Sequence, residues 1–154
     1  MRKRSLVVAV AVTAWALLLA GLAYYSYRED APTVPGQTTI AQARDTMDRV
    51  TGELEKISSS VSVGDYAQQS CDISKARTGA SIKRQLTFTT TPGDEATLLR
   101  AIASGLPSAY HARTSDQDAT ISLYADAGLF VAVRGRTGDP GQVVVTMTSG
   151  CREP

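Results

Sequence analysis

From Ser5 to Tyr27, in the run SLVVAVAVTAWALLLAGLAYYSY, the chain carries no charged side chain, and nothing else in its 154 residues narrows the outcome as much. Coiled as a helix, a run of 23 residues rises roughly 34 Å, more than the ~30 Å hydrocarbon core of a bilayer. The sequence therefore predicts an N-terminal signal anchor, a transmembrane helix over residues 1–27. Arg2, Lys3 and Arg4 precede the run, whereas Arg28 behind it is offset by Glu29 and Asp30. By the positive-inside rule the N-terminus then stays cytoplasmic and everything after Arg28 lies outside the cell membrane. Tyr24, Tyr25 and Tyr27 stand where an interfacial aromatic belt would be. The competing reading is a cleaved signal peptide, because Gly21 and Ala23 have the small-residue spacing a signal peptidase accepts; cleavage near Ala23 would secrete the remainder. The length of the apolar run favours the retained anchor.

Residues 28–37, REDAPTVPGQ, hold Pro32, Pro35 and Gly36 and read as an extended linker. A domain over 38–154 follows. Thr39 with Gln42 three residues later matches a capping box. From there Ile40, Ala43, Met47, Val50, Leu54, Ile57 and Val61 recur at alternating spacings of three and four, which predicts one amphipathic helix from Ile40 to Val61. Its stripe has two uses. Packed on the chain's own sheet it is core; paired between chains it would make an anchored oligomeric scaffold, a homodimer through a short coiled coil. Ala43 and Gly52 make it a mediocre free-standing zipper, which favours the first use.

In residues 62–79 polar residues interrupt every pattern; a short strand around Cys71 and Ile73 is possible, but the stretch reads as mostly loop. Ile82, Leu86 and Phe88 alternate with Lys83, Gln85, Thr87 and Thr89, the period-2 signature of a half-buried strand. Thr91, Pro92 and Asp94 then read as the start of a helix from Pro92 to Ser104 that stops at Gly105. SAYHART (108–114) reads as a short strand, and DATISLYA, LFVAVRG and QVVVTMTSG as three more, joined by DAG and RTGDPG turns in an antiparallel meander. The expected class is α+β: an antiparallel sheet with two helices on one face, preceded by the transmembrane helix.

Chemistry is harder to find. One histidine, His111, sits in an apparent strand with no carboxylate or thiol spaced for a metal, and no G-x-S-x-G, S-x-x-K or C-x-x-C occurs. GRTGDPG is glycine-rich but lies between strands and opens no helix, so it lacks the helix N-terminus of a phosphate cradle. Asp116 and Asp118 lack the ligand and glycine spacing of a calcium loop. No catalytic, cofactor or metal residue is assigned, and the chain is not expected to be an enzyme. Net charge is +1 overall and −2 with Arg2, Lys3 and Arg4 set aside, so no nucleic-acid surface is expected.

Cys71 and Cys151 are the only cysteines. In an oxidising compartment an even count implies pairing, and two cysteines admit one intramolecular bridge, which would be structural. Anchor, amphipathic helix, middle cysteine, strand, TPGDE helix, meander and terminal TSGC together resemble, in arrangement, small uncharacterised actinobacterial envelope proteins and lipoproteins. Unlike the lipoproteins, this chain has no cysteine just after its apolar run, so lipid attachment does not carry over. The expectation is a membrane-anchored extracytoplasmic domain that docks an envelope protein or a cell-wall partner, with Arg134 and Arg136 as the candidate interaction surface.

Overall fold

In a computed structural model, residues 2–29, 38–74, 77–117 and 120–152 are described. The uncharged run is helical, α1 (Arg2–Glu29), but the predicted transmembrane helix is not borne out. Among the described residues no helix is long and apolar enough to cross a membrane. The expectation rested on the absence of charge, which is a weaker criterion than transfer free energy summed over an unbroken length. The described apolar side chains of α1 are exposed, Trp15 and Leu17 among them. Asp30 to Gln37, most of the expected linker, lie outside the described residues.

The α+β class with helices over one face of an antiparallel sheet does hold. Helix α2 (Ile40–Ile57) starts where its capping box places it: the Thr39 hydroxyl accepts from the Gln42 amide while the Gln42 side chain accepts from the Thr39 N–H. It ends one turn earlier than expected, because Val61 belongs to the next strand. The strands are β1 (Val61–Val63), β2 (Ala67–Ser74), β3 (Arg77–Thr89), β4 (Arg113–Gln117), β5 (Thr120–Asp126), β6 (Val131–Thr137) and β7 (Gln142–Ser149). They form one sheet in the order β1-β3-β7-β6-β5-β4, with β2 also paired to β3. The meander β5-β6-β7 is as expected. The stretch 62–79 corrects the reading as loop, for it supplies most of β1, all of β2 and the start of β3. Its residues from Ala67 to Ser70 are exposed, so no apolar period marks them; pairing from Ala67↔Lys83 to Cys71↔Gly79 makes them a strand.

Helix α3 (Glu95–Gly105) begins three residues later than Pro92, because Gly93 turns left-handed (φ 100) and the Asp94 amide closes a turn onto Thr91. SAYHART splits into a 3-10 turn (Ser108–Tyr110), a left-handed His111 (φ 47) and the start of β4, correcting the single strand.

Both helices bury their stripes against the inner face of the sheet. Ala43, Met47, Val50 and Leu54 of α2 and Leu99 and Ile102 of α3 are wholly buried, over Leu86, Phe88, Val133, Val143, Val145 and Met147. The α2 stripe from Ile40 to Leu54 is thus covered by the chain's own sheet, with Ile57 half-buried at its end. Gly135 lets α3 come down on β6, since a Cβ there would sit 2.7 Å from the Leu99 Cδ1.

Cys71 and Cys151 are bonded, their Cα atoms 5.9 Å apart. Beside them Arg152 and Ala80 exchange two backbone hydrogen bonds of 2.8 Å, which extend the ladder past the end of β7. Arg152 itself is 1% exposed; its guanidinium donates to the Thr38 carbonyl (3.2 Å), the Thr38 hydroxyl (2.5 Å) and the Leu129 carbonyl.

Candidate functional site

A sheet covered on one side only presents the other to its surroundings, and strand alternation decides what stands there. On β6 the inward residues are Val131, Val133 and Gly135, so Ala132, Arg134 and Arg136 point outward, and both arginines are exposed. Register then assembles their neighbours. Arg134 pairs with Tyr124 on one side and Thr146 on the other; Arg136 pairs with Ser122 and Val144. Tyr124 in turn faces Arg113, whose guanidinium carbon lies 4.9 Å from the ring centroid. Thr146 faces Gln85, Val144 faces Thr87, and Thr148 faces Lys83. None of these side chains is buried.

Four cations, Lys83, Arg113, Arg134 and Arg136, therefore share one open face with hydroxyls, an amide and a single aromatic ring. Among the described residues none of the four has a carboxylate within salt-bridge reach; the ion pairs found are Lys56–Glu53, Arg84–Asp48 and Arg100–Asp116. The described carboxylate on these strands that shares the face is Asp126, and it accepts from the Gly128 amide at 2.9 Å. Arg134 and Arg136, singled out from sequence, lie together at the middle of the patch. Lys83, Arg113, Tyr124 and Thr146 went unnoticed, because only the cross-strand register brings them alongside.

The inner side is used differently. At the edge of α2, the Arg84 guanidinium, 2.7 Å from Asp48, and that of Arg44 lie 4.5 and 5.3 Å from the centroid of Tyr66. The Tyr66 hydroxyl donates to Asp48 at 2.8 Å. Burial, then that hydrogen bond to the carboxylate, push the phenol up to about 12. The cluster clamps α2 to the β2-β3 hairpin.

A cleft of about 550 Å³ lies between the start of α3 and the β6-β7 turn, lined by Glu95, Arg100, Asp116, Ile121, Thr137 and Pro140 among others. Its acidic groups are tied into the scaffold. Glu95 accepts from the Gly93 amide (2.9 Å) and the Gly141 amide (2.6 Å), and these backbone donors, Gly141 first, hold its carboxyl below the ordinary range. Asp116 lies 3.5 Å from Arg100. His111 is exposed and does not line this cleft; Asp118 lies outside the described residues. Among the described residues no three of His, Cys, Asp or Glu are gathered as a metal would require.

Fold and surface together define an α+β domain with one helical face and one open, basic, hydroxyl-rich face. No protein-family model and no curated protein matches the chain. Among solved structures it is similar to a DUF4853 family protein from Actinomyces odontolyticus, at a TM-score of 0.58 and 15% identity, covering 80% of this chain and 75% of that one. At such identity the likeness concerns the fold alone.

Proposed function

We propose that this is an extracytoplasmic binding module of the cell envelope, akin to the actinobacterial envelope proteins its layout resembles, and that it docks its partner on the open face of the sheet. The observation that carries the reading is the gathering of four cations on one uncovered face, none with a carboxylate partner among the described residues, whereas Arg84 and Arg100 on the helical side are paired with Asp48 and Asp116. Leaving charges unpaired contributes little to stability, and an exposed patch of one sign attracts and orients a partner of the other. The Cys71–Cys151 bond supports the location, since such bonds persist in oxidising compartments.

The test compares the two faces of the full-length protein. A photo-crosslinking residue at Thr146, on the open face, should capture envelope material that the same residue at Arg49, on the exposed side of α2, does not. Equal capture from both positions, or none from Thr146, would refute the assignment of the face.

A further inference from the structure

We propose that the occupant of the open face is an acidic polysaccharide, a chain of sugar rings carrying repeated carboxylates; this rests on the reading of that face as the docking surface. Three observations converge on it. The cations are dispersed. Arg113 and Arg134 stand two strands apart in one cross-strand row, roughly 10 Å, and Arg136 is two residues beyond Arg134, about 7 Å along the strand. Donors spread over a flat surface do not converge on one small anion, but they match charges repeated along an extended polymer. On the same face stand Ser122, Thr146, Thr148, Thr87 and Gln85, short hydroxyls and an amide of the kind that exchange hydrogen bonds with sugar hydroxyls. Three of the four cations are arginines, whose planar forked donors fit a planar carboxylate two bonds at a time.

The same inventory argues against other partners. The centre of a protein interface is built from clustered aromatic and large apolar anchors, and here Val144 and Ala132 are the aliphatic side chains of the patch. Single-stranded nucleic acid needs successive aromatic platforms. Tyr124 is one ring, and Arg113 stands over it.

The experiment uses the full chain with its disulfide intact and polygalacturonate as probe, with dextran, polyphosphate and polyglutamate alongside. Polygalacturonate should bind, with affinity falling as salt rises, and dextran should not. Arg134→Gln with Arg136→Gln should weaken binding roughly tenfold or more, the scale of one or two lost charged hydrogen bonds, without changing the melting temperature. Arg49→Gln, an arginine on the far side, should leave affinity unchanged. No binding of polygalacturonate, equal binding of polyphosphate or polyglutamate, or an unchanged affinity in the double variant would overturn the proposal. Should polygalacturonate fail while crosslinks from Thr146 persist, the polysaccharide falls and the docking face stands; should both fail, the docking face falls with it.

Discussion

At the scale of single residues, charge in this protein follows its surroundings more closely than its sequence position. Arg84 and Arg134 both lie on strands, yet one is clamped between Asp48 and Tyr66 and the other stands open. Tyr66 gives this a readable consequence. Its phenol ionises at about 12, against about 10 for an unfolded tyrosine. The folded state thus holds the proton more tightly, and the stability this contributes is complete below pH ~10 and disappears as pH climbs through the raised value. Titrated by phenolate absorbance, one tyrosine should lag the others, vanish from the titration in Tyr66→Phe, and fall back toward its companions in Asp48→Asn. A native protein whose tyrosines all ionise together would show that the clamp does not form. Nothing in the linear sequence marks this cluster, since Arg44, Asp48, Tyr66 and Arg84 span 40 positions and meet only when α2 lies across the hairpin. Arg152 was equally hidden: a charged residue near a chain end reads as exposed, and here it is a strut between Thr38 and Leu129.

At the scale of elements, legibility follows apolar period. The stripe of α2 was visible because five side chains at helical spacing, Ile40, Ala43, Met47, Val50 and Leu54, leave the water together, and β5, β6 and β7 because burial alternates along each. Strand β2 showed only as a hint around Cys71 and Ile73, because its pairing is backbone to backbone and Ala67 to Ser70 stay exposed. The N-terminal run misleads in the other direction: absence of charge predicts a span, yet among the described residues no helix is long and apolar enough to cross a membrane. The α2 seam also gives the element-scale prediction. Leu54→Ala should lower unfolding free energy by about 2–5 kcal/mol, as for other fully buried leucines, while leaving the sedimentation behaviour of the native protein unchanged. Loss of an oligomer without loss of stability would instead place the seam between chains. Urea titration and analytical ultracentrifugation distinguish the two.

At the scale of the whole molecule, the last strand is the centre of the fold. Strand β7 lies between β3 and β6, so residues distant in sequence must meet before the sheet is complete, and long-range pairing of this kind is entropically costly to close. The bridge from Cys71 to Cys151, 80 residues apart, offsets part of that cost. On the chain-entropy account a loop of this size is worth about 4–5 kcal/mol, with measured values often smaller. Cys71→Ser with Cys151→Ser should lower the melting temperature and raise exchange of the β2 amides more than those of β5. Unreduced, denatured protein should show no titratable thiol. Two reactive thiols in the native state, or an unchanged melting temperature in the double variant, would contradict a structural bond.

The amino-acid sequence by itself determined the α+β class, the start of α2, the meander and the pairing of the two cysteines, because each depends on local period, on a cap, or on there being a single way to pair. It also pointed to Arg134 and Arg136, two outward residues on one readable strand. Only the tertiary structure decided that β7 is central, that Ala67–Ser74 is a strand, that the α2 seam packs on the sheet, and that Lys83, Arg113 and Tyr124 join the two arginines. Register between strands distant in the chain sets those outcomes, and register is fixed when the inner faces bury against α2 and α3.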